Sequence, residues 1–344
     1  TASIAVALWQ YYKDKDEQES IKALKKFGII NEENKEEPFV LLMGDFSGIQ
    51  SFIFAYGSES NKQASKLLRG RSFYVSLLTE VASIKILEAL SLPATSQIFN
   101  IAGKFLILAP NTEEVREKII ELQKELDAWF LKNTLGQSTI NLAYETLTFA
   151  DFIIRQESDQ KQEGEKSYFS KKYNSLLTKL DKKKHNNFDL LNRDEHILEV
   201  DYSHGVCKIN NRLPNENPNK PTEKNEGISN QSNLSNDQIS LGDNLVKKSR
   251  IIISTESIRD TTLEVDLFGY YITIVGDEEQ DGAFTDLAKE GKIVRFFDFG
   301  PPDEQGNVYN GYAKRFINTF VPNFNDSDET TKYDKCISQD NKII

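Results

Sequence analysis

The chain has 344 residues, 38% of them hydrophobic, a formal charge of −11 and only two cysteines, Cys207 and Cys336. That is length enough for two domains or more, each able to bury a core. The acidic balance argues against a protein that coats nucleic acid unaided, because such binding draws on clustered Lys and Arg. Two cysteines build no disulfide framework, no apolar run approaches a membrane span, and no secretory leader is visible, so the sequence predicts a soluble, cytoplasmic protein.

In chain order, Thr1–Lys26 predicts a helix with Ile4, Ala5, Leu8, Tyr11 and Tyr12 on one side, followed by a charged linker over Asn31–Glu37. Phe39–Met43 is a short apolar run without alternation that ends at Gly44, the pattern of a strand buried on both faces. Side chains at its carboxyl end, Gly44 to Gly48, would leave the sheet and face a cleft, where ligands gather. From Ala64 to Leu90 the residues Leu67, Leu68, Leu77, Leu78, Val81, Ile84, Leu87 and Leu90 mark one buried helix face. Gln97–Ile101 and Phe105–Ala109 read as strands joined by a tight hairpin at Ala102-Gly103-Lys104. A second helix is expected from Asn111, capped with Glu114 as reciprocal partner, with Val115, Ile119, Leu122, Leu126, Trp129 and Phe130 inward. Asn133 and Gly136 stop it, and Ser138–Glu145 alternates as a fourth strand would. The order βαββαβ predicts an α+β, ferredoxin-like domain, the arrangement that also serves as the palm of nucleotide polymerases and cyclases.

Beyond it, Gln156–Asn187 reads as a surface helical segment with a basic tail at Lys182–Lys184, and Asn210–Asn244 as a mobile loop rich in Asn, Pro and Ser. Ile251–Ile253, Thr262–Val265, Tyr270–Val275 and Lys292–Phe297 supply strands of a small β-rich module, ending at Gly300-Pro301-Pro302 and the segment Tyr312–Asn323. The expected division is therefore 1–36, helix and linker; 37–155, palm; 156–250, helical and loop-rich linker region; and 251–344, the β-rich module.

Several residues carry chemistry. Asp45 stands where a palm places its first metal-binding carboxylate, or else caps the turn that follows. A two-metal site needs a second acid from the central hairpin, and Ala102-Gly103-Lys104 has none, so this palm is not expected to hold the metal pair. Gly44 and Gly48 would let a phosphate approach the backbone. Arg69 and Arg71, flanking Gly70, suit bidentate phosphate recognition or an ordinary solvated helix face. Lys104 could offset a triphosphate or be a plain turn lysine. Phe52 and Phe54 are expected in the core rather than as stacking platforms.

The stretches GDFSGIQSFIF, SKLLRGRSFYVSLL and NIAGKFLILAPNTEE closely resemble the first palm domain of the large subunit of type III CRISPR effector complexes, the Csm-type and more distantly Cmr-type cyclic oligoadenylate synthase and HD nuclease family. TASIAVALWQYYKD resembles the helix that follows the HD domain there; the likeness is specific from about Leu41 to Ala109. It implies that the whole protein serves antiviral defence, converting ATP to cyclic oligoadenylates and cleaving single-stranded DNA. Mg2+ or Mn2+ would sit on a second palm bearing a Gly-Gly-Asp-Asp loop. Neither that sequence nor an HD pair occurs in these residues, and the sole methionine, Met43, lies inside the buried strand, so a piece of a longer product is expected.

By the same resemblance this chain carries no catalytic and no metal-binding residue, and supplies half of a nucleotide pocket through Asp45, Ser47, Gly48, Gln50, Arg69, Arg71 and Lys104. The implied partners are a small repeat-type subunit at the 5′ end of the guide RNA, a small helical subunit, guide and target RNA, and the second palm, with no membrane. The family carries two Cys-x-x-Cys pairs near His196, His204 and Cys207. Here Asn210 stands where the partner of Cys207 would be and no pair follows around Ser235–Gly242, so a zinc-ribbon-like remnant without zinc is expected, held by Val206, Ile209 and Leu213. Two other readings stay open: an inactive scaffold that assembles the RNA-bearing complex, and a stand-alone nucleotide-binding regulator.

Overall fold

A computed structural model of the chain describes residues 2–13, 36–152, 168–216, 231–248, 250–257, 264–275 and 283–298. The rest of the first helix, most of the Asn31–Glu37 linker, Gly300-Pro301-Pro302, Tyr312–Asn323 and Cys336 lie outside the described residues. The chain divides into two compact units, Thr1–Ala64 with Arg71–Asn236, and Ser65–Gly70 with Asp237–Ile344. No described helix is long and apolar enough to cross a membrane.

The first unit is built on β1 (Phe39–Ser47), which pairs antiparallel with β3 (Lys104–Pro110) on one side and β4 (Thr139–Leu147) on the other. β2 (Gln97–Ile101) joins β3 through Ala102 and Gly103, both at positive φ, and the strand order is β2-β3-β1-β4. Between the strands run α2 (Ile49–Ile53), α3 (Ala64–Ala89) and α4 (Glu113–Thr134), so the predicted βαββαβ order is present with one short extra helix. The cap of α4 is Thr112, whose hydroxyl accepts from Val115 N at 3.2 Å. Asn111, the expected cap, instead donates to Glu37 O and accepts from Arg116, which carries it one residue outside the helix.

The two faces of the sheet are covered differently. Phe46 meets Phe130 of α4 edge-on and reaches Tyr74 of α3 through Phe52, while Asn100 of β2 donates to Glu80 and Ser83 of α3. The opposite face bears Phe39, Leu41 and Met43 of β1 with Leu106 and Leu108 of β3. Ala7, Leu8 and Tyr12 of α1 (Ala2–Tyr12) and Leu176 and Leu180 of α5 (Tyr168–Lys184) close over them. The segment expected to run on the surface thus covers a sheet face, because its few apolar residues, four apart, meet a continuous apolar strip. Ala5 is exposed and Ala7 takes its place in the core; Leu68 and Phe54, also expected inside, are 44% and 64% exposed.

β4 ends the strand order, and three of its outward backbone groups are met by side chains. Gln123 of α4 donates to Ile140 O and accepts from Leu142 N, and Lys179 of α5 donates to Tyr144 O. These bonds stand where a fifth strand would otherwise pair.

The second unit holds an antiparallel sheet of β5 (Arg250–Ser254), β6 (Glu264–Leu267), β7 (Tyr270–Val275) and β8 (Ile293–Asp298), in the order β6-β7-β5-β8. β6 and β7 form a hairpin through Phe268-Gly269, both at positive φ, with Asp266 accepting from Gly269 N. Leu287 of α7 (Ala283–Lys289) packs with Ile293 and Phe296 against Ile252 and Val275.

The Asn- and Ser-rich stretch expected as a mobile loop contains a further helix, Asn233–Asn244, numbered α6 and followed by α7 in chain order. Ile239, Leu241 and Leu245 are buried. Within the second unit α6 crosses the first turns of α3: Arg69 Nε donates to Gly242 O at 2.8 Å and Lys66 pairs with Asp243 at 3.1 Å. Residues 217–230 of the expected loop lie outside the described residues.

Candidate functional site

The carboxyl end of β1 gathers a polar cluster on the face covered by α1 and α5. Asp45 is 3% exposed and is flanked across the strands by Lys104 of β3 and Asn141 of β4, its register partners on either side. Its Oδ2 receives Lys104 Nζ at 3.3 Å and Lys184 Nζ, from the last turn of α5, at 2.6 Å. Burial opposes the Lys184 charge, but the hydrogen bond and attraction of Asp45, with Asp181 beyond, outweigh it and hold the ammonium above its ordinary range. Asn141 Nδ2 donates to Ser47 Oγ and to Asn187 Oδ1, both at 2.9 Å, and its own Oδ1 is buried without a hydrogen bond.

Asp45, Ser47 and Lys104 therefore come together, and Gly48 and the exposed Gln50 follow directly in the chain. Asp45 caps no turn: Gly48 precedes α2, at φ +85, with no side-chain cap. The space left by the glycines is taken by the protein itself. A Cβ on Gly44 would fall 2.1 Å from the Phe105 ring and one on Gly48 2.4 Å from Gln137 O, so neither glycine leaves room for a phosphate on that side.

Arg71 lies elsewhere. It is 3% exposed, and its guanidinium donates to the carbonyls of Ile53 (3.1 Å), Ala55 (2.7 Å) and Ile209 (3.3 Å). Burial pushes its pKa down to about 10 against a smaller opposing contribution from Cys207. The geometry gives Arg71 to backbone carbonyls at the end of α2, in the turn that follows it and at Ile209, rather than to a phosphate. Arg69 belongs to the second unit and is bound to Gly242. Lys184, Asn141 and Asn187 were not singled out from the sequence; the basic tail Lys182–Lys184 was the only trace of them.

The divalent ions that the resemblance implies for the whole protein do not fit these residues. Asp45 is already bound by two ammonium groups, the hairpin carries no acid, and among the described residues no group of three or more His, Cys, Asp or Glu could hold a metal ion. Near the degenerate cysteine motif, the Cys207 sulfur accepts from Ile209 N and Asn210 N and donates to Ser235 Oγ, each at 3.4 Å. Ser232 Oγ in turn donates to Ser235 Oγ at 2.9 Å, so hydrogen bonds tie the 207–210 turn to Ser235 and Ser232.

Residues 38–201 match the family model described as Csm1 subunit domain B. The "CRISPR system single-strand-specific deoxyribonuclease Cas10/Csm1 (subtype III-A)" of Methanocaldococcus jannaschii is 34% identical to this chain over 200 residues, covering 55% of it and 24% of that protein. The protein of the same description from Mycobacterium tuberculosis is 27% identical over 219 residues, covering 62% and 26%. The chain spans about a quarter of the length of these curated relatives. Among solved structures, an apo Csm1–Csm4 cassette aligns with a TM-score of 0.54 at 20% identity, over 86% of this chain and 32% of that one. A Csm1–Csm4 cassette in complex with one ATP aligns with a TM-score of 0.50 at 21% identity, over 72% and 27%. At these identities the likeness is one of fold.

Proposed function

We propose that this chain is the first-palm portion of the large subunit of a type III-A CRISPR effector complex, and that it binds nucleotide without performing the chemistry. The observation that carries the reading is the match of residues 38–201 to Csm1 domain B. The βαββαβ order with strand order β2-β3-β1-β4 supports a ferredoxin-like palm, and the fold likeness to Csm1 in the Csm1–Csm4 cassette supports a Csm4-type neighbour. In the whole protein, cyclic oligoadenylate synthesis from ATP, with Mg2+ or Mn2+, is assigned to a second palm, and deoxyribonuclease activity to an HD domain. Guide and target RNA would be met through the assembled complex in the cytoplasm. Ser47, Lys104 and Gln50 are the residues of this palm proposed to face the nucleotide, with Asp45 positioning Lys104.

The second reading, an inactive scaffold, is favoured by one feature: the carboxylate at the palm position is neutralised by two lysines. Calorimetric titration with ATP and Mg2+, of the chain alone and joined to the second palm, separates the two. Saturable binding weakened by Ser47→Ala and Lys104→Ala supports the nucleotide palm. Absence of binding to this chain in both preparations, at millimolar ATP, supports the scaffold.

A further inference from the structure

Cys207 is fully buried and opens a turn that closes on itself: Cys207 N donates to Leu213 O at 2.9 Å and Leu213 N to Asn210 O at 3.0 Å. Within it the amides of Ile209 and Asn210 both donate to the Cys207 sulfur, each at 3.4 Å. Against this turn stands the start of α6. Ser232 caps that helix, its hydroxyl accepting from Ser235 N at 3.2 Å, and the same capping geometry brings the two hydroxyls within 2.9 Å of each other. Ser235 Oγ lies 3.4 Å from the Cys207 sulfur. The sequence thus holds Cys-x-x-Asn and Ser-x-x-Ser, far apart in the chain, and the fold of the first unit brings both pairs to one place. Asn210, Ser232 and Ser235 are buried there with Cys207.

The resemblance in sequence implies a structural zinc ion on two Cys-x-x-Cys pairs, and the side chains present do not fit it. Structural zinc takes four thiolate or imidazole ligands. Here one thiol is joined by an amide and two hydroxyls, and all four are already engaged: Asn210 Oδ1 accepts from Arg212 N at 3.2 Å, its Nδ2 donates to Gln137 Oε1 at 3.4 Å, and the sulfur and the serines bond to one another. Burial opposes ionisation of the Cys207 thiol, but hydrogen bonds from Ser235 and from the backbone of Ser232, Asn210 and Ile209 outweigh it and hold the pKa below its ordinary value. Sulfur atoms sharing one zinc ion at bond lengths of 2.3 Å stand about 3.8 Å apart. The contacts at 3.4 and 2.9 Å are shorter, as between groups that bond directly. We propose that Cys207, Asn210, Ser232 and Ser235 occupy the four ligand positions of a tetrahedral metal site that has no metal, with hydrogen bonds in place of the ion's cross-link. The clasp between the 207–213 turn and the start of α6 therefore holds without zinc, and thiols at the other three positions make it a zinc site. This is so whether or not the palm binds nucleotide.

The test has two arms. Metal analysis of the purified chain is expected to find no zinc above background, and its melting temperature to be the same in EDTA and in Zn2+. Stoichiometric zinc, with a melting temperature that falls in EDTA, would overturn the proposal. In the second arm Cys336→Ser removes the other thiol, and Asn210→Cys, Ser232→Cys and Ser235→Cys are combined in that background. This variant is expected to take up one Co2+ per chain with the intense visible bands of a tetrahedral thiolate site, and to bind Zn2+ at least about a hundredfold more tightly than the parent. Circular dichroism in EDTA and in Zn2+ follows the fold. A variant that is unfolded in EDTA and folds on addition of Zn2+ upholds the assignment, and one that stays unfolded with Zn2+ overturns it. A folded variant that titrates with Co2+ like the parent overturns it as well. Ser232→Cys with Ser235→Cys, keeping Asn210, should bind Co2+ more weakly than the full set; equal binding would overturn the fourth position.

Discussion

Gly70 and Gly242 face each other across a helix crossing in which backbone meets backbone. A Cβ on Gly70 would fall 1.9 Å from Gln238 O, and one on Gly242 would fall 2.0 Å from Lys66 O. No flexible side chain can yield there, so the helices would have to separate. Gly70→Ala and Gly242→Ala should each lower stability by about 2 kcal/mol in urea titration. The double variant should cost less than the sum, because one wider crossing accommodates both methyl groups.

Gly44 is the register partner of Phe105, whose ring lies over it and fills the place of a side chain. Gly44→Ala should destabilise the first unit by about 2–3 kcal/mol through overpacking. Phe105→Leu in the same chain should recover part of that loss, although Phe105→Leu alone is destabilising. A double-mutant cycle by thermal unfolding reads this reversal of sign.

Arg71, itself buried, donates to three backbone carbonyls. Arg71→Ala should cost about 3 kcal/mol. Arg71→Lys should recover less than half of it, since a single ammonium cannot reproduce the planar spread of donors. If the role is structural, the folded fraction of the Arg71→Lys protein keeps the ATP affinity of the parent, whereas the folded fraction of Ser47→Ala loses affinity, with a modest loss of stability because Asn141 loses an acceptor.

Asp127 of α4 is buried, and burial raises its carboxyl above the ordinary range despite the Thr139 hydroxyl donating at 2.7 Å and the nearby Lys183. Between the ordinary and the raised value the native state keeps a proton that the unfolded chain has released. Stability contributed by this group is therefore complete below the unfolded value and lost as pH rises through the folded one. Asp127→Asn should flatten that decline and raise the urea midpoint at neutral pH, measured in a series of titrations from acid to neutral.

Local signals made much of the first unit legible. The unbroken apolar run Phe39–Met43, the hairpin at Ala102-Gly103 and the spacing of Val115, Ile119, Leu122 and Leu126 each depend on residues a few positions apart, and each lies where the pattern indicated. Helix α6 was obscured by an Asn- and Ser-rich composition that favours turns in isolation. Its stability comes from tertiary contacts: the crossing at Gly242 and the buried Ile239, Leu241 and Leu245. The partners of Asp45 divide the same way. Lys104 sits just past the hairpin that faces it, but Lys184 is more than a hundred residues away, and no spacing rule connects the two. The fate of Arg71 was illegible for another reason: a guanidinium suits phosphate and backbone carbonyls alike, and burial alone decides between them.

The side-chain bonds along β4 have a consequence for assembly. With Gln123 and Lys179 occupying Ile140 O, Leu142 N and Tyr144 O, an extended segment from another chain would have to displace these side chains to pair along that margin. Strand exchange between copies is discouraged from within the same polypeptide. Recognition along this border must be written in side chains, where sequence can tell a proper neighbour from any passing strand.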